Sequence, residues 1–198
     1  MRNAVQGLVM ALVLVAITGV RMQAEQAATT APGPATGDKV AQGAHLVHVG
    51  GCNDCHTPLK MGPNGPEPDM TRMLSGHPQE LVMPPAPKLP DGPWNTTVSA
   101  TLTAWSGPWG VSFTQNLTSD PETGLGRWTE AEFVGALQTG RHQGRGRQIL
   151  PPMPWKVYST LPEEDLRMIW AYLQTVPPIR NKVPDPIAPP APPAPPAK

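Results

Sequence analysis

Cysteine is scarce in this sequence and net charge is absent, and each shortage excludes a class of protein. The chain has two cysteines among its 198 residues. A structural zinc site takes about four closely spaced cysteine or histidine ligands, so two cysteines alone do not supply one. Fifteen Lys and Arg residues are balanced by 15 Asp and Glu residues. Because proteins that bind nucleic acids concentrate positive charge, we expect no nucleic-acid partner.

Long apolar runs are also rare, and the clearest one lies near the N-terminus. Arg2 precedes an apolar stretch from Leu8 to Ile17. This stretch is shorter than the roughly 20 residues that a membrane-spanning helix needs, and a basic residue followed by an apolar run is typical of export signals. We therefore expect residues 1–24 to be a signal peptide, cleaved after Ala24, or an N-terminal membrane anchor. Either would carry the chain out of the cytoplasm.

Proline, by contrast, is abundant and unevenly distributed. Of the 23 residues from Val176 to the C-terminus, 10 are prolines, a composition typical of an extended segment without a core. We expect one folded domain over residues 38–184. A flexible linker over residues 25–37 would precede it, and a proline-rich disordered tail over residues 185–198 would follow it.

The two cysteines lie in the pentapeptide Cys52-Asn53-Asp54-Cys55-His56. The spacing C-x-x-C-H is typical of a c-type haem attachment site, in which two thiols add to the two vinyl groups of one haem. The histidine that follows can then bind the iron from the proximal side. A thioredoxin-type redox motif would be expected in a βαβ context, a zinc site would need further ligands, and a structural disulfide would leave His56 unexplained. The sequence therefore predicts one covalent haem c.

A second axial ligand is expected among the methionines and histidines, and Met153 has the most restrictive setting. It follows two prolines and precedes a third, in the stretch 150–155. Prolines fix the local backbone, so such a loop can hold a thioether at low entropic cost. Met83, which precedes two prolines, is the alternative. His77 or His142 would give bis-histidine ligation, although we expect both histidines at the surface.

Three stretches have the apolar spacing of helices, at about residues 38–51, 130–139 and 161–175. The second follows a capping box, in which Thr129 stands three residues before Glu132. The third carries apolar residues at i, i+3, i+4 and i+7, the spacing of an amphipathic helix. These stretches predict an all-α helical domain wrapped round the haem.

Residues 57–112 show no sustained period and contain eleven prolines and six glycines. So long a loop is unusual in a compact domain, but a covalent haem offers its side chains a large apolar surface. We expect a long proline-rich loop insertion here. A short strand pair near Thr97–Thr103 and Val111–Asn116 is the regular structure that we expect within it.

The stretch from Asn116 to Pro184 resembles the C-terminal half of bacterial class I-like c-type cytochromes, including cytochrome subunits of membrane-bound dehydrogenases. With Gly43 and the haem motif, the resemblance covers roughly residues 38–184. Members of the family carry up to three C-x-x-C-H motifs, whereas this chain has one. The matching residues are Asn116-Leu117-Thr118, Asp120-Pro121-Glu122-Thr123-Gly124-Leu125-Gly126, Trp128-Thr129, Pro152-Met153-Pro154-Trp155, Asp165-Leu166, Ala171-Tyr172-Leu173 and Pro177-Pro178.

The resemblance implies a cytochrome c-like fold and roles for particular residues. Met153 would be the distal iron ligand, and Asn116 and Trp155 would line the haem edge. The first and last helices would cross at Gly43, against Tyr172 or Trp170.

The resemblance also implies a function: an electron carrier that is not itself an enzyme, located in the periplasm or on the periplasmic face of the inner membrane. Its donor would be a dehydrogenase or a cytochrome, and its acceptor a cytochrome or an oxidase. One alternative is a cytochrome subunit within a dehydrogenase complex, with the N-terminal segment as a membrane tether. A haem peroxidase or a gas-binding sensor is less expected, because either needs an open iron position.

Overall fold

The computed structural model describes residues 36–189. The predicted signal peptide or anchor over residues 1–24, almost all of the predicted linker and residues 190–198 of the predicted tail lie outside the described residues. Across 36–189, no helix combines the length and the apolar character that crossing a bilayer requires.

The described part of the chain contains five α-helices and five β-strands. The strands all lie between the haem motif and the second long helix. In chain order the elements are α1 (Thr36–Val49), α2 (Cys52–His56), β1 (Leu59–Gly62), β2 (Gly65–Pro68), β3 (Thr97–Val98), β4 (Ala104–Gly107), β5 (Gly110–Phe113), α3 (Glu130–Thr139), α4 (Trp155–Tyr158) and α5 (Glu163–Leu173).

The prediction of an all-α fold is wrong, because the structure contains two antiparallel sheets beside its helices. Strands β1 and β2 form a hairpin, and strands β3, β4 and β5 form a three-stranded sheet in that order. Each strand is two to four residues long. So short a strand places one or two side chains on each face, too few to produce the alternation that identifies a strand in a sequence.

The three-stranded sheet lies close to where a strand pair was predicted, with a different pairing. Strand β5 overlaps the predicted segment 111–116, but its partner is β4, with Ala104 opposite Phe113 and Ser106 opposite Val111. The other edge of β5 is also occupied, because Val111 exchanges two backbone hydrogen bonds with Ile187 at 2.8 and 2.9 Å. Ordered structure therefore continues three residues past the predicted domain boundary at 184.

The long helices agree well with their predicted positions. Helix α3 occupies the predicted residues, and its capping box is formed: Glu132 N–H donates to Thr129 Oγ1 and Thr129 N–H donates to Glu132 Oε2. Helix α5 begins at Glu163, two residues after the predicted start, and Pro162 is its N-cap residue.

Helices α1 and α5 pack directly against each other at Gly43. A Cβ atom there would collide with the backbone carbonyl of Met168 and would lie 3.0 Å from the Cβ of Tyr172. The predicted helix crossing at Gly43 and Tyr172 is therefore confirmed. Apolar side chains from the helices and the loops complete the core beside this crossing, among them Val47, Leu74, Leu125, Phe133, Leu166 and Leu173.

The fully buried side chain of Asn181 joins the C-terminal segment to the loop after the first hairpin. Its Nδ2 donates to the carbonyl oxygens of Ser75, at 2.7 Å, and His77, at 2.8 Å. Its Oδ1 accepts from the backbone N–H of Gln79 at 2.9 Å. This amide fixes a segment that has little regular secondary structure.

Candidate haem-binding site

A cavity of about 430 Å³ lies between the haem motif, strand β5, helices α3 and α5 and the loop before α4. Its walls are mostly apolar. The volume falls within the roughly 300–1,000 Å³ that is usual for small-molecule and cofactor sites. Four of the predicted ligand residues lie in its lining: Cys52, Cys55, His56 and Met153.

Both cysteines lie on helix α2, which follows Gly51 in the left-handed conformation (φ 68°). Residues three apart on a helix share one face, so Cys52 and Cys55 both line the cavity, and both are free thiols. Burial raises the pKa of Cys52 to about 11, and burial together with the charge of Asp54 also raises the pKa of Cys55. Both sulfurs are therefore protonated at neutral pH.

His56 ends helix α2 and is buried. Its Nδ1 lies 2.7 Å from the carbonyl oxygen of Gln115. A carbonyl only accepts, so Nδ1 carries the proton and donates it, which leaves the lone pair of Nε2 free to bind a metal. Burial lowers the pKa of His56, so the ring is neutral, the form in which histidine binds iron.

Met153 lines the cavity together with its three neighbouring prolines. Among the methionines at residues 36–189, it alone is in that lining. Met61 and Met70 are exposed at the surface. Met83, the alternative ligand, is partly buried outside the cavity. The cavity lining thus distinguishes Met153 from Met83, which residue type alone does not.

The two alternative histidines differ in position. His77 is fully buried, contrary to the prediction of a surface residue, and its ring nitrogens bond Thr103 Oγ1 and the Leu81 carbonyl, each at 2.9 Å. His142 does line the cavity, edge-on to Trp128 with ring centroids 4.8 Å apart. Burial, and then the charge of Arg147, lower the pKa of His142. His142 is therefore the alternative ligand that the cavity retains.

Asn116 and Trp155, the predicted haem-edge residues, both contact other parts of the protein. Asn116 borders the cavity, but its Nδ2 donates to the Ile179 carbonyl at 2.8 Å and its Oδ1 accepts from Thr118. Trp155 lies beside the cavity lining, with its ring against Gly140, where a Cβ atom would collide with it.

Sequence reasoning missed two residues that fix the haem motif. Gln115 acts through its backbone carbonyl, which no side-chain pattern can reveal. Tyr158 donates its hydroxyl proton to the Gly50 carbonyl at 2.5 Å, just before the motif, and burial raises its pKa to about 12. An aromatic residue following the Met153 loop was the only signal for Tyr158.

Together these residues fit a haem joined to the protein through two thioethers. Two thiols lie on one helix face, a neutral imidazole offers a free nitrogen, and a thioether lies in the same apolar cavity. A c-type haem takes donors of these kinds: two thiols for its covalent attachment, and imidazole or thioether groups for its iron.

Known proteins point to the same class. The chain is 35% identical over 77 residues to a nicotinate dehydrogenase subunit from Pseudomonas putida. It is also 35% identical over 81 residues to the cytochrome c subunit of alcohol dehydrogenase (quinone) from Gluconobacter oxydans, and over 72 residues to the fructose dehydrogenase cytochrome subunit of Gluconobacter japonicus. The predicted resemblance to cytochrome subunits of dehydrogenases is confirmed.

These similarities cover only part of each protein. The matched residues are 39%, 39% and 36% of this chain and 6%, 17% and 15% of the three relatives, in the same order. No family model matches the chain.

Proposed function

We propose that this protein is an exported c-type cytochrome that carries single electrons on one covalently bound haem. The observation that carries the proposal is the meeting of two thiols, one neutral imidazole and one thioether around a single apolar cavity. The similarity to cytochrome subunits of dehydrogenases supports it.

Cys52 and Cys55 would hold the haem covalently. Each S–H would add across one vinyl C=C bond, with the sulfur on one carbon and the hydrogen on the other, so the addition consumes no oxidant or reductant. His56 Nε2 and the Met153 thioether would be the axial ligands. The bound haem supplies reversible one-electron redox chemistry.

The chain's own residues set the conditions for that chemistry. The Gln115 carbonyl holds the proton on His56 Nδ1 and so fixes which nitrogen faces the cavity. The apolar walls exclude water. A methionine opposite a histidine raises the reduction potential relative to two histidines. The protein is thus suited to carry electrons rather than to transform a substrate.

Its redox partners would be proteins. An electron would come from a reduced dehydrogenase or cytochrome and pass to an oxidised cytochrome or oxidase, in the periplasm or on the periplasmic face of the inner membrane. Residues 1–24 would direct export, or would tether the protein if they remain attached.

A second candidate is a subunit of a dehydrogenase complex, which the names of the relatives favour. Isolation of the native protein under mild conditions distinguishes a dehydrogenase subunit from a free carrier. Stoichiometric co-purification with a dehydrogenase supports the subunit, and a haem protein that elutes alone supports the carrier.

The proposal is tested by expressing the chain with haem-attachment machinery and extracting it with acidified organic solvent. We expect one haem per chain to stay with the polypeptide, and the ferrous protein to bind carbon monoxide slowly. Haem released into the solvent, or two haems per chain, would overturn the proposal.

A further inference from the structure

Strand β5 and the two residues that follow it contact both sides of the haem cavity. We refer to residues 110–115 as the β5 segment. Ser112 Oγ donates a hydrogen bond to the carbonyl oxygen of Pro151 at 2.5 Å, in the loop that carries Met153. Three residues later, the Gln115 carbonyl accepts from His56 Nδ1 at 2.7 Å. One short segment therefore bonds to His56 at the end of helix α2 and to the loop that carries Met153, the two proposed axial ligands.

Trp109 sets the direction of the Ser112 hydroxyl. The indole Nε1–H of Trp109 donates to Ser112 Oγ at 3.2 Å. A serine hydroxyl has one proton, so a Ser112 oxygen that accepts from Trp109 keeps its own proton for Pro151. Ser112 is 7% exposed, and water therefore competes little for this pair of bonds.

The β5 segment is itself held on both edges. Strand β4 pairs with one edge, from Ala104 opposite Phe113 to Gly107 opposite Gly110. Val111 pairs with Ile187 on the other edge. Because both edges are paired, the strand is a stiff support rather than a free loop end.

We propose that Ser112 is a positioning residue for the distal ligand, and that the β5 segment fixes the Met153 loop relative to His56. This inference rests on the proposed haem function. It gives the end of the insertion 57–112 a role, because Ser112 joins the Met153 loop to the strand that leads on to Gln115 and so to His56. Loss of the Ser112 bond should leave the haem attached but let the Met153 thioether leave the iron more often.

The test uses the complete haem protein and compares three variants. Ser112→Ala removes the donor, Ser112→Thr keeps it on a side chain suited to a strand, and Trp109→Phe removes the donor that orients the hydroxyl without altering the cavity lining. Ser106→Ala, the same change in the neighbouring strand β4, is the matched control. The readouts are the carbon monoxide association rate of the ferrous protein, the methionine–iron charge-transfer absorption of the ferric protein and the reduction potential.

Ser112→Ala should bind carbon monoxide roughly fivefold faster than wild type, since a typical hydrogen bond changes an opening equilibrium by about that factor. Its charge-transfer absorption should weaken and its potential should fall. Trp109→Phe should change in the same direction by less. Ser112→Thr and Ser106→Ala should behave as wild type.

The outcomes separate this inference from the proposed function. If wild type retains covalent haem and its methionine absorption while Ser112→Ala binds carbon monoxide at the wild-type rate, the positioning role is wrong and the proposed function stands. Ser112→Thr behaving as Ser112→Ala would also overturn the role, because the hydroxyl would then be irrelevant. Wild type that lacks covalent haem or the methionine absorption would overturn the proposed function itself. If Ser112→Ala does not fold, an unchanged Trp109→Phe overturns the role and an accelerated one supports it.

Discussion

The proximal and distal sides of the cavity are built by different means. On the proximal side, Cys52, Cys55 and His56 share one helical turn, so local backbone geometry sets their relative positions. On the distal side, Met153 lies in a proline-flanked loop whose support, Ser112, is 39 residues away from Pro151. The proximal arrangement should therefore tolerate changes elsewhere in the fold, whereas the distal arrangement should depend on them.

The largest expected effect comes from removing the proximal attachment. Cys52→Ala together with Cys55→Ala should give protein without covalent haem. It should also fold poorly, because an apolar cavity of about 430 Å³ is left without its occupant. Haem absorbance after denaturation and far-ultraviolet circular dichroism measure the two effects. A double variant that keeps its haem through denaturation would show that the thiols are not the attachment sites.

Removing the proposed distal ligand should have a narrower effect. Met153→Ala should keep the haem attached but open one coordination position, so the ferrous protein should bind carbon monoxide rapidly. Met153→His should stay six-coordinate with a lower potential, because a histidine in place of methionine lowers it. Absorption spectra and redox titration measure both outcomes.

Two control variants test whether Met153 is the distal ligand. Met83→Ala and His142→Ala should leave the spectrum and the potential close to wild type, because Met83 lies outside the cavity and His142 packs against Trp128. If Met83→Ala or His142→Ala opens the iron while Met153→Ala does not, the distal ligand is the residue replaced in that control variant.

A smaller effect is expected from alkaline pH on the proximal side. The pKa of Tyr158 is about 12 in the folded protein because the phenol is buried, and near 10 in an unfolded chain. Between these values the unfolded state loses the proton first, so the contribution of Tyr158 to stability is complete below pH 10 and declines as pH rises towards 12.

The comparison of wild type with Tyr158→Phe measures this contribution. At pH 8 the variant should be less stable by about 1 kcal/mol, the usual worth of one hydrogen bond. The difference should shrink between pH 10 and 12 in thermal unfolding of the haem protein. A difference that is constant with pH would mean that Tyr158 titrates normally.

The smallest effect should come from an exposed residue that is not in the cavity lining. Thr129→Ala removes the cap of helix α3 and should cost about 1 kcal/mol or less at this exposed position. Denaturant unfolding should register the loss, while the carbon monoxide rate and the potential stay unchanged. A shifted reduction potential would show that the cap of helix α3 influences the proposed iron ligands.

Prediction from sequence succeeded where a few adjacent residues determine the outcome. Helix α3 is fixed by its own capping box and by Gly140 after its last residue, and both features are visible in the sequence. The placement of Cys52, Cys55 and His56 beside one cavity is equally local, because all three lie within the five residues of helix α2.

Prediction failed where distant contacts determine the outcome. The sheet β3–β5 consists of short strands that are stable only because they pair, so the all-α prediction missed it. His77 is buried because Thr103 and the Leu81 carbonyl satisfy both of its ring nitrogens, and neither partner is implied by the residues beside it. Gln115 acts through a backbone oxygen, which residue identity does not specify.

The contact between the first and last helices has a consequence for the timing of folding. Lys39 on α1 bonds Glu164 on α5, 125 residues later in the chain, and contacts so distant in sequence form slowly. If the chain is exported N-terminus first, as proposed, its core would not close until residues near 173 have emerged. Until then the two thiols at 52 and 55 would belong to an open polypeptide, on which an attachment enzyme would meet no folded obstruction.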